Sequence, residues 1–210
     1  MTCIVAVSDG RTVVIGGDSA ATGENELRLR ADRKVFCTGG YAIGFTRSYR
    51  MGQILRYGVD YPSPPREGSA EELERFMVVE FVEAVRRAFT EKGFAKKARR
   101  GSGEWSEEGQ EVGGLFLVGV AGEIFEIRED FYVGRPAKPY SAVGFGATAA
   151  LGALHALESQ RTLSLRERAH QALAASEEYC SAVRGPFFFV EMEPGTDAGR
   201  CGGARKGESG

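Results

Sequence analysis

Thr2 stands directly behind Met1 and directly in front of the apolar run from Cys3 to Val7. A small second residue favours removal of the initiator methionine. Removal leaves one residue with both a nucleophilic hydroxyl and a free α-amine. The ordinary pKa of such an amine is about 7.7–8.0, so it can take up the hydroxyl proton near neutral pH. No histidine is required, which suits a chain with only two, His155 and His170. The chemistry does need a cation beside the hydroxyl, an acid to hold that cation, and a backbone N–H for an oxyanion. Asp18 and Lys34 are candidates for acid and cation. Taken singly, Asp18 reads better as a turn cap and Lys34 as an exposed charge at a strand end. Cys3 is intrinsically the better nucleophile, but successive strand residues face opposite ways, and only the first residue carries a free amine.

Two β-rich runs, "TCIVAVS" and "TVVIGGDSA", flank an Asp-Gly turn signal and read as a hairpin. "RKVFCTGGYAIGF" repeats the pattern around Gly39-Gly40, and a helix-like stretch runs from about Thr46 to Tyr57. After the proline-rich "YPSPPREGS", Ser69 and Glu72 form a capping-box signature ahead of an amphipathic helix. The polar segment from about Lys92 to Glu111 reads as a solvated loop. "VGGLFLVGV" and "GEIFEIRED" form another hairpin through Ala121-Gly122, and "PYSAVGFG" leads into the helix "ATAALGALHALES". Ser164 and Glu167 cap the next helix, and "GPFFFVEM" reads as a final, central strand. Strands in runs favour antiparallel pairing, and near-continuous apolar strands favour burial on both faces. The expectation is an α+β, four-layer α-β-β-α sandwich over residues 1–193, followed by a glycine-rich, disordered tail over 194–210.

The 27 basic and 29 acidic residues give a net charge of −2, which leaves no footprint for nucleic acid or a membrane surface. No apolar run approaches the ~20 residues of a membrane span, and the N-terminal stretch has no signal-peptide form. The four cysteines, Cys3, Cys37, Cys180 and Cys201, have no CxxC spacing and read as free thiols in a reducing cytoplasm. No metal and no cofactor is expected. "GFGATA" has a dinucleotide-binding shape, but outside a βαβ unit its glycines read better as close packing of a helix start against a strand.

The opening "MTCIVAVSDGRTVVIGGDSAATGENELRLRADRKV" resembles the start of proteasome β-type subunits, and more closely the HslV-like peptidases. The family pattern of threonine, "GD…AT" and a basic pair falls on Thr2, Asp18 with Thr22, and Lys34. "AIGFT", "YSAVGFGATAALGAL" and "ALAASEEYCSAVRGPFFFVEM" extend the likeness over most of residues 2–192. The resemblance implies an N-terminal nucleophile (Ntn) hydrolase fold and amide hydrolysis through an acyl-enzyme on Thr2. It also implies an oxyanion-binding N–H at Gly44, substrate-backbone pairing at Thr22, and a pocket for the residue before the cut at Ala21 and Asp32. The acid at Asp32 would favour basic side chains there. Implied partners are a peptide or unfolded-protein substrate, a homo-oligomeric ring and an ATPase unfoldase. The sequence departs from the family at Phe145, where a serine is usual, and at Val183, where serine or threonine is usual. Those departures leave open a second reading, a ring-forming scaffold without catalysis.

Overall fold

Asp9 closes the first hairpin by accepting the N–H groups of Arg11 and Thr12 at 2.9 and 2.7 Å, while Gly10 takes a φ of +86°. The computed structural model describes residues 2–22, 26–65, 68–94, 96–99, 105–111, 114–160 and 162–193; the expected tail lies outside them. In chain order, the elements up to the first helix are β1 (Cys3–Ser8), β2 (Val13–Gly17), β3 (Ala20–Thr22), β4 (Leu27–Leu29), β5 (Val35–Thr38), β6 (Tyr41–Phe45) and α1 (Tyr49–Tyr57). They are followed by α2 (Ala70–Phe76), a π-helical turn (Met77–Phe81), α3 (Val82–Glu91), β7 (Lys96–Arg99) and β8 (Trp105–Glu111). The last group is β9 (Phe116–Val120), β10 (Glu123–Ile127), β11 (Val133–Gly134), β12 (Tyr140–Gly144), α4 (Ala147–Ala156), α5 (Leu165–Tyr179) and β13 (Phe188–Met192).

One antiparallel sheet has the order β12-β1-β2-β13 and a second has β11-β10-β9-β6-β5. Strand alternation sorts the core into three apolar layers. Cys3, Val5 and Val7 of β1 face α4 and α5, packing on Ala150 and Leu173. Ile4 and Ala6 face the other way and meet Val35, Ala42 and Leu117 between the sheets. Ile43 and Phe116 carry the outer face of the second sheet, against Met51, Met77 and Phe89 of the helices. The result is the expected α-β-β-α order. Both capping boxes form, Ser69 with Glu72 and Ser164 with Glu167. Among the described residues no helix is long and apolar enough to cross a membrane.

Three expectations are corrected. "GPFFFVEM" supplies an edge strand: β13 pairs with β2 alone among the described residues. An apolar run reports burial of its faces, not its place in the strand order. The polar segment expected as a loop contains an antiparallel ribbon, β7 with β8, irregular between Lys97 and Arg99. Cys3 and Cys180 are free and buried, but Cys37 is disulfide-bonded, so the reading of four free thiols fails there. Cysteine spacing alone does not reveal which thiols are bonded.

Candidate active site

Gly17 ends β2 where the two sheets come close: a β-carbon there would lie 2.9 Å from Ile4 and 3.0 Å from Val35. The chain then turns, and Asp18 is held by the start of β1. Its Oδ1 accepts the Cys3 N–H at 3.0 Å, and its own N–H reaches the Cys3 carbonyl at 3.4 Å. Asp18 Oδ2 accepts the Ala20 N–H at 3.0 Å. Lys34, just before β5, crosses from the second sheet and donates to Asp18 Oδ1 at 2.8 Å and to the Ala20 carbonyl at 2.5 Å. The ion pair is closed to solvent, with side-chain exposures of 2% for Lys34 and 0% for Asp18. Burial pushes the Lys34 ammonium below its ordinary value, and the adjacent Asp18 carboxylate opposes that shift.

Thr2 is 4% exposed and is fixed from the opposite side of β1. Its carbonyl accepts the Phe145 N–H at 2.7 Å and the Gly146 N–H at 3.4 Å. Gly144, at φ +100°, permits that approach, because a β-carbon there would sit 2.3 Å from the Thr2 oxygen. A β-carbon on Gly146 would lie 2.9–3.0 Å from Val183, Cys3 and Ser176. The glycines of "GFGATA" thus serve close packing of a helix start against a strand. Cys3 points to the helical side, where its Sγ lies 3.5 Å from Ser176 Oγ. Burial pushes the Cys3 thiol up to about 12, which keeps it protonated and non-nucleophilic at neutral pH.

The structure therefore gathers Asp18, Lys34 and the Thr2–Cys3 peptide. Ala21 and Thr22 follow directly on β3, whose registered partner strand is β4. Asp32 lies on an exposed turn and is not a free acid: Arg30 binds its Oδ2 through Nε at 2.9 Å and Nη2 at 2.8 Å. That hydrogen bonding holds the Asp32 carboxyl below its ordinary range. Arg30 also lies 4.6 Å from the centre of the Tyr49 ring. Among the described residues the buried Tyr49 hydroxyl has no hydrogen-bond partner, and burial pushes it up to about 12.

Gly44 does not fit the expected oxyanion role. Phe45 N–H bonds the Lys34 carbonyl and Thr46 N–H bonds the Leu115 carbonyl, so alternate residues of β6 address alternate neighbours. Gly44 shares the direction of Thr46 and pairs with Leu117 of β9. Its N–H is committed to the ladder. Its missing side chain makes room for Ile4 and Ile15 instead, which a β-carbon would meet at 2.5 and 2.9 Å. β6 ends in a tight turn at Arg47, with φ +60° and Ser48 N–H bonded to the Thr46 carbonyl at 2.7 Å.

Sequence reasoning missed Ala20 and Arg30. Ala20 acts through backbone groups, which no side-chain pattern reports. A signal for Arg30 existed in its spacing of two residues from Asp32.

Solved structures with the same arrangement of layers decide the fold. BPH of Thiobacillus denitrificans, a bacterial proteasome homologue, superposes with a TM-score of 0.70 at 19% identity, covering 93% of this chain and 100% of that one. The fold is that of the proteasome-β and HslV-like Ntn proteins. BPH in complex with epoxomicin gives 0.69 at 18% identity over 92% of this chain and 100% of that one. Eukaryotic HslV from Trypanosoma brucei gives 0.61 at 23% identity over 91% of this chain and 99% of that one. No protein-family model matches the sequence, and no curated protein does.

Proposed function

We propose that the chain is a threonine-type Ntn hydrolase that cleaves peptide bonds. The observation that carries the reading is the shared oxygen of Asp18, bonded by Lys34 Nζ at 2.8 Å and by the peptide N–H that follows Thr2 at 3.0 Å. A buried cation fixed at that point lowers the cost of negative charge on the Thr2 hydroxyl and disfavours protonation of a nearby amine. After Met1 removal the α-amine accepts the hydroxyl proton as Oγ attacks the scissile carbonyl. It returns the proton to the leaving amine when the C–N bond breaks. Water, activated by the same amine, then hydrolyses the ester on Thr2. Lys34 stays charged throughout and Asp18 holds it. Gly44 has no part in this mechanism.

The likeness to BPH and HslV supports a homo-oligomeric ring acting in the cytoplasm on peptides or unfolded protein, with an ATPase unfoldase as partner. Thr22 and the outer edge of β3 would receive the substrate backbone as an added strand. The rival reading, a silent scaffold, draws on Phe145, whose side chain has no hydroxyl and is 65% exposed. Two measurements on the purified full chain separate the readings. A mature N-terminus at Thr2 with turnover of an unfolded protein supports the hydrolase. Retained Met1 with no turnover supports the scaffold.

A further inference from the structure

Phe145 is the only phenylalanine among the described residues that leaves most of its surface in solvent, at 65%. Its backbone is fixed at the start of β1. Its N–H is held by the Thr2 carbonyl at 2.7 Å. The glycine on each side is packed inward, Gly144 against that same carbonyl and Gly146 against Cys3, Ser176 and Val183. With both neighbours facing the protein and its own N–H bonded, the turn presents the ring outward beside the nucleophile. A ring carried on a fixed backbone loses less freedom when it meets a ligand than one carried on a mobile loop.

Sheet order sets which part of a substrate would meet it. In β12-β1-β2-β13, Thr2 at the start of β1 lies between two flanks. The β2 flank carries Asp18 and leads into β3, Ala21 and the Arg30–Asp32 pair. The β12 flank ends at Phe145. A chain whose residues before the cut run along β3 would leave Thr2 on the opposite flank, toward the β12–α4 junction.

We infer that the Phe145 ring receives the substrate residue immediately after the scissile bond and selects apolar, above all aromatic, side chains there. This rests on the hydrolase reading above and extends it to the leaving-group side. A phenyl ring neither donates nor accepts a conventional hydrogen bond, so the residue acts by contact and not by moving a proton. One aromatic contact of this kind changes relative rates roughly two- to tenfold.

The test uses the full-length protein and two internally quenched peptides that differ only in Phe or Ala after the cut, with the cut position read by mass spectrometry. The readout is the ratio of the two kcat/KM values, in which any general loss of rate cancels. The inference expects a ratio of roughly two to ten in the native protein, near one in Phe145→Ser, and intermediate in Phe145→Leu. Labelling of Thr2 by a peptidyl epoxyketone, which carries no residue on the leaving side, is followed in parallel. Labelling with a native ratio near one, or with a ratio that Phe145→Ser leaves unchanged, overturns the inference and spares the hydrolase reading. Absence of labelling and of cleavage removes the hydrolase reading, and the inference with it. A change of assembly size in Phe145→Ser with no change in the ratio also overturns it, by making Phe145 a contact between copies.

Discussion

Lys34 and Asp18 form an ion pair of 2.8 Å that spans the two sheets, with neither side chain more than 2% exposed. The same Asp18 oxygen holds the peptide N–H between Thr2 and Cys3. One carboxylate therefore ties the first strand to the cation, and in the proposed mechanism stability and chemistry meet at one atom. Lys34→Ala leaves Asp18 buried and uncompensated. The expected loss is about 3–5 kcal/mol in denaturant unfolding, together with loss of hydrolysis. A variant that unfolds at the native denaturant midpoint would show that the pair is not closed to solvent.

Thr2→Ala keeps the Phe145 and Gly146 bonds, because these use the Thr2 carbonyl. The expected result is a native circular dichroism spectrum and no hydrolysis. Cys3→Ser places a hydroxyl beside Ser176 in an otherwise apolar layer and costs about 1–3 kcal/mol, with hydrolysis retained. Activity that follows Cys3 and not Thr2 would reverse the assignment of the nucleophile.

Two glycines on the same segment should respond with opposite signs. Gly144→Ala forces a β-carbon to 2.3 Å from the Thr2 oxygen at a φ of +100°. It should destabilise by at least about 1–3 kcal/mol and slow any reaction at Thr2. Gly152 lies inside α4 and a β-carbon there meets nothing within 4 Å. Gly152→Ala should stabilise by about 0.4–1 kcal/mol. Thermal unfolding of the pair checks both signs.

Alkaline pH should destabilise the fold. Burial raises the Cys3 thiol from 9.0 to about 12, and the Tyr49 hydroxyl from 10.0 to about 12. Both groups keep their protons in the folded chain where the unfolded chain has lost them. Their contribution is complete below pH 9 and is lost as pH climbs through the folded values. From Cys3 the loss is at most about 4 kcal/mol. Unfolding free energies measured between pH 8 and 11 should fall, and fall less steeply in Cys3→Ser. A flat profile would contradict the burial of both groups.

Arg30 neutralises Asp32, so native cleavage should show little preference for basic residues before the cut. Arg30→Ala releases the carboxylate, and kcat/KM for peptides with Lys or Arg at that position should rise relative to those with Leu. An unchanged ratio would remove Asp32 from the pocket.

Much of this fold was legible because its turns are written in side chains. Asp9-Gly10, Gly39-Gly40 and Ala121-Gly122 all close hairpins, and Ser69 and Ser164 start helices. The edge position of β13 was not legible, since Phe188, Phe189, Val190 and Met192 are apolar for the faces they cover and carry no mark of which strand adjoins them. At the site, Asp18 and Lys34 read as ordinary charges when taken singly and acquired meaning from the resemblance of their spacing to the family pattern that starts at Thr2. The Ala20 carbonyl and the Phe145 N–H had no signature, because every residue type offers the same backbone groups. Gly44 was read as an oxyanion donor from its motif, whereas the ladder register gives it to packing between the sheets.

The central claim is that Thr2 is a nucleophile activated beside Lys34. It is tested most directly by incubating the full chain with a peptidyl epoxyketone and mapping the adduct by mass spectrometry. The account predicts a single adduct on an N-terminal Thr2, absent from Thr2→Ala and from Lys34→Ala. An adduct on any other residue, or none on a correctly folded chain whose N-terminus is Thr2, would contradict it.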